Sequence, residues 1–197
     1  MSPPLQLRFL LSAADLHQLP ETQAEVAVVG RSNVGKSSLV NALGHQRALA
    51  RVSKTPGRTR LLNCFAVEGG GTIVDCPGYG YASASANLRQ SWQKMAEQYL
   101  LEREELARVL VLVDGEIGPT RLDLQMLEWL RANERPLAVA ATKNDKVRSS
   151  HRVKRKRELA AGCGLPGSEI TWVSSAKGTG IDRLRALLLT WLQPPDR

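Results

Sequence analysis

Gly30-Arg31-Ser32-Asn33-Val34-Gly35-Lys36-Ser37 sets two glycines five positions apart, followed at once by a lysine and a hydroxyl residue. That combination is suited to holding a polyphosphate. Glycines let the backbone turn tightly enough for successive N–H groups to converge on anionic oxygens, and a helix starting at the lysine adds the positive end of its dipole. Lys36 then offers a cation to the β and γ phosphates, and the Ser37 hydroxyl offers a ligand to magnesium. Downstream, Val74-Asp75-Cys76-Pro77-Gly78 places an acid where it can hold that magnesium through water. Three residues after the acid, the backbone N–H of Gly78 can meet the γ phosphate. Taken alone, Asp-x-x-Gly is an ordinary turn. Behind a phosphate loop it becomes a sensor of whether the γ phosphate is present.

Two further motifs address a base. Thr142-Lys143-Asn144-Asp145 follows an apolar run ending at Ala141, and Ser174-Ser175-Ala176-Lys177 follows another ending at Val173. Guanine presents N1–H and its 2-amino group as adjacent donors that one carboxylate accepts together, whereas adenine has no such pair. Asp145 is therefore the expected specificity residue. Lys143 can lay its aliphatic stem over the purine, and backbone N–H groups near Ser175 and Ala176 can bind the guanine carbonyl. Thr142 stands where the Asn-Lys-x-Asp pattern has asparagine, which weakens the expected tie to the phosphate loop while keeping one hydroxyl. A P-loop kinase or ATPase would leave Asp145 without a purpose. Between the phosphate loop and Asp75, Thr55 and Thr59 both offer a hydroxyl to magnesium. Thr59, just ahead of a strand, is the better placed of the two.

Positioning these groups requires strands that end at the motifs. Ala24 to Val29 is a valine-rich run leading into the phosphate loop, and helical residues follow from Lys36 to Leu43. Leu61 to Val67 and Thr72 to Val74 flank Glu68-Gly69-Gly70-Gly71 and read as an antiparallel hairpin. Val109 to Val113 and Pro136 to Ala141 are continuous apolar runs suited to central strands, and Ile170 to Val173 supplies a last strand. Helical segments are expected over Asn87 to Leu101, Thr120 to Asn133, Arg152 to Ala161 and Ile181 to Leu192. His45 to Arg58 lacks periodicity, contains Pro56-Gly57, and reads as a loop. Such alternation predicts an α/β architecture with ligands at the carboxyl ends of a mostly parallel sheet.

At 197 residues with 43% hydrophobic content, the chain has the size of one domain. We expect an N-terminal extension over 1–22 packed on a domain spanning 23–197. Three well-separated cysteines form neither a disulfide framework nor a zinc cluster. The apolar run from Leu5 to Ala14 is interrupted by Arg8 and closed by Asp15, so it reads neither as a signal peptide nor as a membrane span. A cytoplasmic protein is expected. The formal charge of +8 favours polyanionic partners. Its cations concentrate at Arg47, Arg51, Lys54, Arg58 and Arg60, and again at Lys146, Arg148, Arg152, Lys154, Arg155, Lys156 and Arg157. Both clusters are candidates to face RNA phosphates.

The motifs together, with Thr55-Pro56-Gly57-Arg58-Thr59, Pro77-Gly78-Tyr79-Gly80-Tyr81 and the Phe-Leu-x-Ser-Ala start at Phe9, resemble the bacterial EngB family of GTPases over nearly the whole chain. The resemblance implies a three-layer, Ras-like P-loop domain with one antiparallel hairpin strand. It implies nucleotide contacts from Gly30 through Ser37 and Ser38, from Gly57-Arg58-Thr59-Arg60-Leu61, and from Asp75-Cys76-Pro77-Gly78. It adds contacts from Thr142-Lys143-Asn144-Asp145 and from Val173-Ser174-Ser175-Ala176. Ser37 and Thr59 become the magnesium residues, and Lys36, Thr59 and Gly78 the groups acting at the reacting phosphate. Assembly of the large ribosomal subunit, with a requirement in cell division and septation, is the implied role of a protein expected to be monomeric. Tyr79 occupies the position where many GTPases carry a water-orienting glutamine, which implies slow hydrolysis. Asn33 resembles the loop asparagine of potassium-binding GTPases, which implies potassium stimulation.

Overall fold

A computed structural model of the chain describes residues 3–46, 48–50, 61–79 and 86–193, with 86–93 described as backbone only. The elements run β1 (Leu7–Ala13), β2 (Glu25–Gly30), α1 (Lys36–Leu43), β3 (Leu62–Val67), β4 (Thr72–Asp75), α2 (Ala86–Glu102), β5 (Leu106–Asp114), α3 (Arg121–Ala132), β6 (Leu137–Thr142), α4 (Arg152–Cys163), β7 (Ile170–Trp172) and α5 (Ile181–Trp191). One seven-stranded sheet has the order β1-β3-β4-β2-β5-β6-β7. β3 pairs antiparallel with both β1 and β4, and the remaining pairings are parallel. A single reversed strand thus sits in an otherwise parallel sheet, as the glycine-rich hairpin predicts.

The central strands read as unbroken apolar runs because helices cover both faces. Along β2, Val26 and Val28 point into a layer with Leu39, Val40 and Leu43 of α1 and Ile181, Leu184 and Leu188 of α5. Ala27 and Val29 point the other way, where Tyr99 and Leu100 of α2, Leu127 and Leu130 of α3, and Leu159 and Cys163 of α4 form the opposing layer. The same period of two divides β5, with Leu110 and Leu112 on the first face and Val109, Val111 and Val113 on the second. All three cysteines are buried and unbridged. No helix among the described residues is long and apolar enough to cross a membrane.

Strand β1 was not anticipated from the sequence. The stretch 1–22, expected as an extension packed on the domain, contributes the edge strand of the sheet through β1. A register shift between Phe9 and Leu11 breaks the alternation that would have marked it. At the amino end of β2, the fully buried Glu25 carboxylate accepts hydrogen bonds from Thr72 Oγ1 at 2.7 Å, the Tyr99 hydroxyl at 2.8 Å and Arg103 Nε at 3.1 Å. Arg103 also donates to the Pro20 carbonyl at 2.6 Å. The knot ties the extension, the sheet and α2 together at the edge opposite the sequence motifs, and it satisfies every charge that it buries.

Candidate nucleotide site

The carboxyl ends of β2, β4, β5 and β6, and the turn after β7, bring the sequence motifs to one edge of the sheet. Gly35 closes the first loop at φ +109°, a backbone setting that an L side chain resists, and α1 begins at the next residue with no side-chain cap. Asn33 is left-handed as well, at φ +62°. The N–H groups that open α1 are therefore turned toward the loop without a competing cap.

Lys36 is only 7% exposed, and its ammonium donates to the carbonyls of Gly30 at 3.2 Å and Arg31 at 3.3 Å. An ammonium has three N–H groups, so two orient it and one remains for a phosphate oxygen. Burial pulls its pKa below the usual lysine value, while the nearby Asp75 carboxylate pushes the other way. Ser37 Oγ donates to Asp75 Oδ2 at 2.8 Å, and Asp75 Oδ1 is buried without a partner among the described residues. Burial raises the Asp75 pKa, offset by Lys36 and by the serine hydrogen bond. A hydroxyl beside an under-coordinated carboxylate is the hard-oxygen donor set that magnesium takes when phosphates and water complete its shell.

The loop after β4 lies against the phosphate loop. Gly78 approaches so closely that a Cβ there would sit 2.9 Å from both Lys36 Nζ and Ser32 N. Tyr79 N–H donates to Gly30 O at 3.3 Å, and its carbonyl accepts from Ser32 N–H at 3.0 Å. The Tyr79 hydroxyl donates to Asp123 Oδ1 at 2.8 Å. Burial, with Asp123 beside it, raises the phenol pKa.

At the base end, Thr142 Oγ1 donates to Val34 O at 2.8 Å, and a longer contact reaches Val113 O at 3.3 Å. The threonine therefore keeps the tie between base loop and phosphate loop that its departure from asparagine had put in question. Lys143 is left-handed at φ +55°, and its ammonium is held 2.6 Å from Asp114 Oδ2. Asp145 is exposed, with Oδ1 fixed by the buried Ser174 hydroxyl at 2.5 Å. Ser174 is in turn pinned by its own N–H on Thr179 O and by Lys177 N–H on its hydroxyl. Asn144 N–H bonds Val173 O, which joins the two base loops.

Of the residues expected at the site, those of the phosphate loop, Asp75 to Gly78, Thr142 to Asp145 and Val173 to Ala176 all converge on this edge. Thr55, Gly57, Arg58, Thr59 and Arg60 lie outside the described residues, as do Arg47, Arg51 and Lys54. Leu61 is described and exposed. Sequence reasoning missed Asp114 and Asp123. Each carried a signal: Asp114 is an acid ending a buried strand, and Thr120-x-x-Asp123 opens a helix as a capping box.

Residues 25–143 match the model of a family described as 50S ribosome-binding GTPase. A probable GTP-binding protein EngB of Pelotomaculum thermopropionicum is 45% identical, covering 93% of this chain and 94% of that protein. A crystal structure of a probable GTP-binding protein EngB shares the fold at a TM-score of 0.71 and 24% identity, over 86% of this chain and 98% of that one. Era in complex with MgGDPNP and nucleotides 1506–1542 of 16S ribosomal RNA superimposes at a TM-score of 0.71 and 26% identity, covering 88% of this chain and 58% of the other.

Replacing Thr142 with valine keeps the shape and deletes the donor to Val34. The unpaired buried carbonyl should cost about 1–3 kcal/mol of stability. If the bond also couples the two loops, GDP affinity should fall roughly tenfold, since 1.4 kcal/mol is one decade. Thermal denaturation and nucleotide titration read the two effects separately, and unchanged affinity would mean that the loops are not coupled through this bond.

Proposed function

Because this chain belongs to the EngB family of GTP-binding proteins and is a P-loop GTPase, we propose that its nucleotide state gates attachment to a precursor of the large ribosomal subunit. Hydrolysis then releases it, and its requirement in cell division and septation follows through that assembly step. The observation that carries this reading is the start of α4. Arg152, Lys154 and Arg155 occupy its first turn, with Lys156 and Arg157 next and Lys146 and Arg148 just before. Cations at the positive end of a helix dipole work against helix stability. Lys154 and Arg155 pair with Glu158 at 3.8 and 3.4 Å, Arg155 also donates to the Ile117 carbonyl at 3.5 Å, and Lys156 lies over the Trp172 ring at 5.7 Å. A surface this costly to the helix and this open to solvent suits an RNA backbone. The description of the matching family model supports the large subunit, and the complex of the Era neighbour with 16S ribosomal RNA supports only RNA as the kind of surface bound.

At the nucleotide, Lys36 and the N–H of Gly78 would hold the γ phosphate, while Ser37 and Thr59 would hold magnesium, with Asp75 behind Ser37. Magnesium supplies charge neutralisation between the phosphates when bound. Asp145 accepts from guanine, the Lys143 stem covers the ring, and the N–H groups about Ser175 and Ala176 take its carbonyl. Turnover is slow, because the Tyr79 side chain cannot orient water as a glutamine does and its hydroxyl is already committed to Asp123. A monomer suffices for this cycle. A second reading, in which hydrolysis is incidental to gating, draws on the same committed hydroxyl; a variant that binds GTP without cleaving it should abolish function in cells if turnover matters and preserve it otherwise. Asn33 is the residue to support potassium, and exchanging sodium for potassium should raise the hydrolysis rate.

Asp145→Asn should lose about 10²-fold or more in GTP affinity and gain xanthosine nucleotides, whose 2-oxo group suits an amide donor. Unchanged preference for GTP would refute the base assignment. Ribosomal-particle binding should be stronger with a non-hydrolysable GTP analogue than with GDP, and steeply salt-dependent. Equal affinity in both nucleotide states would remove the gate.

A further inference from the structure

The Asp123 carboxylate is fully buried, though it lies at the start of α3 and outside every motif. It accepts four hydrogen bonds: from the Tyr79 hydroxyl at 2.8 Å, from Arg31 Nε at 3.2 Å, and from the N–H and Oγ1 of Thr120 at 2.8 and 2.7 Å. Tyr79 takes Oδ1, and the other three donors converge on Oδ2. Two of these donors serve the helix cap. The other two come from the phosphate loop and from the loop after β4, so one side chain fastens both to a third element.

The fastening bears on the γ phosphate. Tyr79 is held at two points, by backbone bonds to Gly30 and Ser32 and by its hydroxyl on Asp123. The residue before it, Gly78, is pressed so closely on Lys36 that one added carbon would lie 2.9 Å from the ammonium nitrogen. Gly78 faces the Ser32 backbone as closely as it faces the ammonium, so seating a terminal phosphoryl group between Lys36 and the Gly78 N–H parts the two residues, and any retreat on the glycine side carries Tyr79 with it. Retreat pulls on Tyr79, and the strongest restraint on that residue is the hydrogen bond to a charged, buried acceptor. A diphosphate has no third phosphoryl group to place there and makes no such demand.

We propose that Asp123 and Tyr79 form a latch that selects against the triphosphate: Asp123, a positioning residue acting through Tyr79, holds the loop after β4 on Lys36 and thereby lowers affinity for GTP relative to GDP. Arg31 Nε, 3.2 Å from Asp123 Oδ2, keeps that carboxylate aimed. The latch sets the threshold at which GTP, or a partner that pulls Tyr79 away, opens the site. It rests on the reading of Lys36 as the γ-phosphate residue.

Tyr79→Phe deletes the hydroxyl and keeps the ring. Titrating the variant and the parent with fluorescent GDP and with a fluorescent non-hydrolysable GTP analogue should show the analogue bound about tenfold tighter and GDP within about twofold, which is one charge-assisted hydrogen bond read as an affinity ratio. Asp123→Asn should move the ratio in the same direction, and adding it to Tyr79→Phe should move it little further, because the two residues act through one bond. A structural role alone would shift melting temperature and both nucleotides together. An unchanged ratio in a folded Tyr79→Phe protein that binds GDP overturns the latch and leaves the nucleotide site intact. Loss of the analogue's dependence on Lys36, tested with Lys36→Ala, would instead overturn the site reading. Should Asp123→Asn fail to fold through loss of its helix cap, Tyr79→Phe decides alone; should Tyr79→Phe fail to fold, the bond is structural and the latch is overturned.

Discussion

Burial favours the neutral form of an amine, and Lys36 must stay a cation inside the protein if it is to meet a phosphate. The surroundings of the phosphate loop follow from that constraint. The backbone curls so that the carbonyls of Gly30 and Arg31 face the ammonium, which takes a left-handed glycine before α1 and a left-handed asparagine two residues earlier. The Asp75 carboxylate stands near enough to favour the charge, and is itself pushed toward protonation by burial. Each charge is tolerable only because of the other, so β2 and β4 must end side by side, and the parallel pairing of Val28 with Asp75 puts them there.

The base loop depends on the phosphate loop in a similar way. One hydroxyl, that of Thr142, reaches Val34, and one backbone bond, from Asn144 to Val173, carries the connection on to the turn after β7. Asp145 and Ser174 then hold each other, so the group that would read the base is oriented by its own neighbour. Of these three bonds, the one from Thr142 crosses to the phosphate loop, and the other two lock the base loops to each other.

Most of this was legible in the sequence because the motifs sit where strands end, and the apolar runs that mark buried strands are hard to mistake. Lys36, Ser37, Asp75 and Asp145 each carry a group whose chemistry few residue types supply: a cation, a hydroxyl and two carboxylates. Asp123 was not legible, because its partners lie 92 residues away at Arg31 and 44 away at Tyr79. A capping box explains a Thr-x-x-Asp completely, and nothing local says that the same carboxylate is shared. Asp114 was hidden for a related reason: its partner Lys143 comes from the neighbouring strand end, a contact fixed by the pairing of β5 with β6. β1 escaped because its bulge disturbs the alternation that identifies a strand.

That first strand has a significance beyond completing the sheet. Without its seven residues, β3 would become the margin, with a row of unpaired N–H and C=O groups running beside the buried Phe65 and Cys64. Such a margin recruits strands from other molecules. β1 closes it with a strand that is itself a poor template, bent by a bulge at Phe9 and Leu11 and carrying the exposed charge of Arg8. Seven residues far from the phosphate loop thus cover an edge that would otherwise stand open to a further strand.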